Sequence, residues 1–503
     1  MKMKNYILSC ICGALMSLAF PPYSLIGVCF IIYSIFFALL VKANNKKQLL
    51  GLGFAFGFGT GAASMSWLIN ALLIDVQSFG WAIPLVPVGF GIFFGLFTSV
   101  AALLCVFGKT PLMKLLAFAG AMTILEWVRS WFLTGFPWNL VGSVWSDYLP
   151  VLQTVSVVGI YGLSLLSIIW FCAPYFVYKR LYKQAAVIVL SFAVVAGLGS
   201  LRLYTSHLDY EWGIKLRLVQ PNIPQDLKWN PQAAEDNFLK LIRLSKNTPD
   251  EKITHVIWPE AASPYLLDVD ENARAMTISA LQQDALLITG SLRLADPQSH
   301  QIASSIMVIN DVGEIIRYYD KSHLVPFGEY MPLRGWLNLE KLVPIGADFK
   351  AGNGVKTIGL PNAPKVGLLD CYEVIFPHEV VDEKYRPSWI INVTNDTWYG
   401  LSAGPYQHLA SAQTRAVEEG LPLIRVANSG ISALISPYGE ILYYLPLGMQ
   451  GVIDVRLPKA IKNIPFYAQK GNIIPLGLAL ACLLIAFFNF FSSKRCNKRL
   501  TVR

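Results

Sequence analysis

Lys365-Val366-Gly367-Leu368-Leu369-Asp370-Cys371-Tyr372-Glu373-Val374-Ile375-Phe376-Pro377 is the stretch from which the fold is read. Val366 to Leu369 form a short apolar run that ends at a cysteine, and the residues from about Ile375 predict a helix. Strand, sharp turn and helix in that order present a side chain at the lip of a sheet. The chain has 8 cysteines, and Cys371 alone lies away from the lipid-type segments and the tail. No second cysteine is there to pair with it, so packing or chemistry accounts for it. Alone, it reads as a small buried hydrophobe.

The surroundings of that stretch are unusual in composition. Of 503 residues, 54% are hydrophobic and only 15% charged, against roughly 25% charged in soluble domains, and the mean hydropathy is +0.47. This is the composition of a membrane protein. The net charge of +9 sits in short clusters between apolar runs rather than in one patch, which marks membrane orientation and speaks against nucleic acid.

Apolar segments at about 6–20, 24–41, 50–73, 81–107, 112–132, 151–177, 185–201 and 473–491 predict eight membrane helices. Ile7-Leu8-Ser9-Cys10 imitates a lipoprotein processing site. The apolar core before it is too short for a signal peptide, so the first segment is expected to stay as a helix. Lys42, Lys46, Lys47, Lys109, Lys114, Lys179, Arg180, Lys183 and the basic tail from Lys494 lie on one side; loops 74–80 and 133–150 hold no Lys or Arg. The positive-inside rule then puts both termini in the cytoplasm and residues 202–472 outside. The expected organisation is a seven-helix membrane domain (1–201), an outer domain (212–460) and a last membrane helix (473–491). Within 212–460, strand-like runs (Leu216–Val219, His255–Trp258, Leu286–Thr289, Ile306–Ile309, Val366–Leu369, Trp389–Val393, Leu423–Val426) alternate with helical patterns such as Pro231–Ser245, Asn272–Gln283 and Gln407–Glu419, predicting an α/β layered domain.

Three strand ends carry chemistry. Glu260 follows Ile257-Trp258-Pro259; Lys321 opens Lys321-Ser322-His323-Leu324-Val325-Pro326-Phe327-Gly328-Glu329-Tyr330; Cys371 is the third. A thiol needs a base to become a nucleophile, and an acyl-transfer intermediate needs a cation or N–H donors for its oxyanion. A single Glu or Lys is by itself a solvated surface charge; all three at strand ends meet those needs if the sheet gathers them.

These residues resemble the Glu–Lys–Cys triad of the nitrilase (carbon–nitrogen hydrolase) superfamily. Val219-Gln220-Pro221-Asn222 with Lys228-Trp229, Asn395-Asp396-Thr397-Trp398-Tyr399-Gly400, Gly404-Pro405-Tyr406-Gln407-His408, Arg425-Val426-Ala427-Asn428-Ser429-Gly430 and Thr134-Gly135-Phe136-Pro137-Trp138 narrow it. Over nearly its whole length the chain resembles the apolipoprotein N-acyltransferases, the membrane branch of that superfamily. The resemblance implies an αββα sandwich in the periplasm, carried by the inner membrane and acting as a monomer. It implies that Cys371, with Glu260 as base and Lys321 at the oxyanion, takes an acyl chain from a phospholipid, typically phosphatidylethanolamine, as a thioester. The chain then passes to the N-terminal amine of a diacylated apolipoprotein, without metal or cofactor. Glu329, Glu373 and Tyr372 are implied as supporting residues, and Trp229 and Trp398 as lipid contacts. Glu126 and Arg129, three apart on the fifth apolar segment, are expected either to pair at a headgroup site or to snorkel to the interface. Where the family often has an asparagine, this chain has Ala303. The apolar loop 331–350 is expected to lie on the bilayer as a lid. A membrane-tethered amidase and a non-catalytic transporter or receptor are the competing readings.

Overall fold

The structure is a computed structural model that describes residues 1–246, 252–296, 301–332 and 348–500. It divides into two compact units: Met1–Ile69, Gln77–Ser206 and Pro465–Arg503 in the first, Asn70–Val76 and His207–Ile464 in the second.

The first unit is helical. Five described helices are long and apolar enough to cross a membrane: Val76–Phe107, Pro111–Arg129, Val155–Tyr178, Tyr182–Tyr204 and Ile473–Ser492. The pair Lys46–Ser64 and Ser66–Leu73, bent by 43°, makes a sixth if counted as one span, and Met3–Ala19 and Gly27–Lys42 are shorter apolar helices. Without a hydrophobic drive between helices in lipid, close backbone approach holds them together, and small residues permit it. A Cβ on Gly59 would lie 2.0 Å from the Cys10 carbonyl oxygen, and one on Gly61 2.2 Å from that of Phe90.

The second unit holds, in chain order, β1 (Tyr210–Gln220), β2 (His255–Trp258), β3 (Leu286–Asp296), β4 (Gln301–Ile309), β5 (Ile315–Asp320), β6 (Lys356–Ile358), β7 (Val366–Asp370), β8 (Trp389–Thr394), β9 (Leu423–Ala427), β10 (Ser432–Ile435), β11 (Ile441–Leu445) and β12 (Gly451–Pro458). They form two mixed six-stranded sheets, ordered β12-β1-β2-β3-β4-β5 and β11-β10-β9-β8-β7-β6. Parallel pairs β1–β2–β3 and β7–β8–β9 sit centrally, with antiparallel strands outside them. The period of two decides the layers. On β2, Ile257 points into the apolar layer between the sheets with Leu216, Ile306, Leu368, Trp389 and Ile424. Val256 and Trp258 point the other way, onto Phe238, Leu241 and Ala273 of the helices Ala234–Ser245 and Glu271–Ile278. The helix Gly404–Glu419 packs on the second sheet and stops at Gly420, whose φ of 64° glycine adopts without strain.

The helix expected from Ile375 is absent. A one-turn 3-10 helix spans Cys371–Ile375 instead, started by a reciprocal cap between Asp370 and Glu373 and followed by Pro377. β5, β6 and β10 to β12 were not signalled by sequence pattern.

Candidate active site

Each chemical residue sits just past the end of a strand. Glu260 lies two residues beyond β2, Lys321 directly after β5 and Cys371 directly after β7. Glu260 and Lys321 thus belong to the first sheet and Cys371 to the second.

Lys321 is fully buried. Its Nζ is 2.7 Å from Glu329 Oε1 and 3.7 Å from Glu260 Oε1. Burial opposes its charge, but the carboxylates of Glu329, Asp370 and Glu260 outweigh that and push its pKa well above the ordinary value. Lys321 is therefore a fixed cation. Burial works to raise the Glu329 pKa, while the Lys321 ammonium and the Val325 N–H, which donates to Glu329 Oε2 at 2.7 Å, favour its ionised form. Glu260 Oε2 is buried and has no hydrogen-bond partner among the described residues.

The Cys371 thiol is 6% exposed. Burial first, then the negative charge of Glu260, pushes its pKa well above the usual thiol value, against the pull of Lys321 and the Thr394 hydroxyl. The resting group is a thiol, so reaction requires a base at the moment of attack. Its φ of 53° turns the chain out of the strand. The Cys371 carbonyl accepts from His408 Nε2 at 3.2 Å and from Asn392 Nδ2 at 3.3 Å, and Thr394 Oγ1 donates to Sγ at 3.2 Å.

Glu373 is buried and acts as a clamp. Its Oε1 accepts from the Tyr319 hydroxyl (2.6 Å), the Ser322 N–H and hydroxyl (both 2.8 Å) and the His323 N–H (3.1 Å); Oε2 accepts from the Asp370 N–H (2.7 Å). One carboxylate thereby ties the Lys321 turn to the Cys371 turn. Tyr372 is buried and meets Phe376 and His323 edge to face. Trp229 is half-buried against Ala261, Leu292 and Phe349, with Lys228 Nζ 5.8 Å from its ring centre. Trp398 is half-buried in the 3-10 turn Asp396–Tyr399. Glu126 and Arg129 belong to the first unit and are buried. Glu126 Oε1 accepts from the Val141 N–H at 2.8 Å and Arg129 lies 4.2 Å over the Phe94 ring; Glu126 Oε2 and Arg129 Nε and Nη2 have no hydrogen-bond partner among the described residues. Most of the expected lid, 333–347, lies outside the described residues. Its flanks are tied to the site: the Phe349 N–H donates to the Glu329 carbonyl, and the Gly352 N–H to that of Lys321.

Several residues given no role from sequence converge here. Lys228 Nζ donates to the Glu260 carbonyl at 3.0 Å, and burial lowers its pKa to about 8. Asp370 accepts from Ser304 Oγ at 2.6 Å while its buried Oδ1 has no partner among the described residues; burial, with Glu260 and Glu329, pushes its pKa well above the usual carboxylate range. Ser304 also takes the Lys321 N–H on its carbonyl. Its neighbour Ala303 is buried on β4 opposite Arg293. Asn392 and Arg425 each interrupt an apolar strand run, and a lone polar residue in such a run was the available signal.

Two mixed sheets bearing Glu, Lys and Cys at their strand ends define a nitrilase-type, carbon–nitrogen hydrolase fold, and a carbon–nitrogen hydrolase family profile matches residues 215–465. The profile of the apolipoprotein N-acyltransferase N-terminal domain matches residues 12–173. The chain is 35% identical to the apolipoprotein N-acyltransferase of Rhodopseudomonas palustris, over 96% of this chain and 94% of that one. It is 36% identical to that of Brucella melitensis (94% and 93%) and 35% identical to that of Rickettsia prowazekii (96% and 98%). The chain belongs to the apolipoprotein N-acyltransferase family. It is a membrane-associated acyltransferase of lipoprotein N-acylation.

Proposed function

We propose that Cys371 is the nucleophile of a two-step acyl transfer and that Glu260, Lys321 and Cys371 are its catalytic residues. Glu260 Oε2, which has no hydrogen-bond partner among the described residues, takes the thiol proton as Sγ attacks an acyl ester of a phospholipid such as phosphatidylethanolamine. The S–C bond forms, the ester C–O bond breaks, and Glu260 returns the proton to the departing lysophospholipid oxygen. Lys321 and the Tyr372 N–H stabilise the oxyanion. The N-terminal amine of a diacylglyceryl-cysteine then attacks the thioester: N–C forms, S–C breaks, and Glu260 carries the amine proton to the leaving thiolate. A thioester suits this exchange because it yields readily to amines.

Glu329 and Glu373 act as positioning residues, Tyr372, Trp229 and Trp398 line the acyl path, and Glu126 and Arg129 receive a polar headgroup within the membrane unit. The accompanying topology is eight crossings of the inner membrane over 1–201 and 473–491, both termini cytoplasmic, and a periplasmic catalytic domain over 212–460, working as a monomer. The apolar helices and the distribution of Lys and Arg support this arrangement.

The observation that carries the reading is the gathering, in one buried shell, of a protonated thiol, a fixed ammonium and a carboxylate oxygen with no hydrogen-bond partner among the described residues. The test is intact mass spectrometry of the full chain with phosphatidylethanolamine and no acceptor. An added acyl mass on Cys371 that hydroxylamine removes and a diacylated lipopeptide discharges is the expected result. A folded, lipid-bound protein that never gains the mass refutes it.

A further inference from the structure

Three sequence blocks remain outside this mechanism, and they meet behind Cys371. Asp396, His408 and Arg425 are all buried, at 1%, 0% and 0% exposure. Arg425 Nη2 lies 2.6 Å from Asp396 Oδ2 and 3.0 Å from His408 Nδ1; Asp396 Oδ1 lies 2.8 Å from His408 Nδ1. Arg425 Nη1 donates to Asn392 Oδ1 at 2.7 Å. Asp396 is held down to about 2: burial opposes its charge, but Arg425 and His408 overcome it.

Two of these side chains end on one atom, the Cys371 carbonyl oxygen. A carbonyl only accepts, so His408 Nε2 carries its proton there whether the ring is neutral or charged. Asn392 presents its amide to the same oxygen because Arg425 occupies its Oδ1. A trans peptide is planar, with C=O and N–H pointing in opposite directions. Pinning the Cys371 oxygen into this buried cluster therefore turns the N–H of the same peptide, that of Tyr372, away from the cluster. The hydrogen bonds also draw electron density onto the oxygen and make that N–H a stronger donor.

We propose that His408, held at Nδ1 by Arg425, which Asp396 in turn anchors, is a positioning residue that aims and polarises the Tyr372 N–H for the oxyanion of acyl transfer. The inference rests on Cys371 being the nucleophile. It separates two properties of the cysteine: alkylation by iodoacetamide passes through no oxyanion and reads only thiol ionisation and access, whereas acylation by an ester needs the oxyanion donors.

The experiment measures both rates on the full chain in detergent, for wild type, His408→Ala, His408→Gln and His408→Met. Misplacing a catalytic group by about an ångström lowers rates by up to about 100-fold. The expected result is that loss in acyl-adduct formation for His408→Ala and His408→Met, with alkylation within about twofold of wild type. Gln, whose amide nitrogen reaches the place of Nε2, restores most of the rate. If the Ala variant does not fold, the Gln and Met pair, similar in volume and differing in the N–H, gives the same comparison. Alkylation and acylation falling together, or Gln performing no better than Met, overturns the proposal in favour of plain packing; unchanged acylation in all three also overturns it. A wild type that forms no adduct is a different failure, that of the nucleophile assignment, and removes this inference with it.

Discussion

Glu373→Gln is the substitution whose outcome follows most directly from the geometry. The carboxylate accepts five hydrogen bonds, four on Oε1 and one on Oε2. Glutamine has one acceptor oxygen. Turned to keep the four, it sets its NH2 against the Asp370 N–H, leaving two buried donors facing each other. Turned the other way, it loses the four. The better orientation forfeits one hydrogen bond to a charged group, at about 1.5–3 kcal/mol, and weakens the rest by removing the charge, so a net loss of about 2–4 kcal/mol is expected. For a unit of this size that lowers Tm by about 5–12 °C. The Lys321 turn and the Cys371 turn share this one clamp, so acyl-adduct formation should fall at least about tenfold. Thermal unfolding in detergent, followed by intrinsic tryptophan fluorescence, reads the first effect, and the mass-spectrometric adduct rate reads the second. A variant that melts within about 2 °C of wild type and acylates at the same rate would show that Glu373 does not join the two turns.

Two further outcomes follow from the charges around the site. Lys228 loses its proton as pH rises through about 8, so a rate that uses its positive charge beside Glu260 and Cys371 declines above that pH. Lys228→Arg stays charged and should carry the decline to higher pH, and superimposable pH–rate profiles would remove Lys228 from the reaction. Burial, with Glu260 and Glu329, pushes the Asp370 pKa well above the usual carboxylate range against the pull of Lys321, which favours its neutral form, so the neutral isostere Asp370→Asn should acylate within about threefold of wild type with little change in Tm. A tenfold loss would mean that the ionised carboxylate is the working form.

The sequence was most legible where one physical requirement governs a whole run. Central strands buried on both faces, such as β2, β7 and β8, read as continuous apolar stretches. The outer strands did not: β5 and β11 are half exposed and set tyrosines among their apolar residues, β5 with Arg317 and Asp320 besides, and β6 has only three residues. The turn after Cys371 stops at Ile375 because Phe376, the residue before Pro377, is extended, and the Asp370–Glu373 cap starts a helical turn without lengthening it. Glu260 and Cys371 were legible because each follows an apolar run that stops abruptly, and Lys321 because it opens the motif that runs to Glu329 and Tyr330. Asp396, His408 and Arg425 stand in motifs that give them no role, since they meet one another, and His408 meets the Cys371 carbonyl, only when three elements pack together. That is a property of packing, and no local pattern encodes it.

The division of the site between two sheets gives the apolar layer beneath it a second duty. Glu260 and Lys321 ride on one sheet and Cys371 on the other, and what sets their separation is the fill of Leu216, Ile306, Leu368, Trp389 and Ile424 between them. Reaction rates are far more sensitive to an ångström of displacement than folding stability is to the loss of one methyl group. Selection for turnover therefore acts as a caliper on side-chain volume deep in the sandwich. Drift that a purely structural protein of this fold would tolerate is closed to this one, even at positions no substrate ever touches.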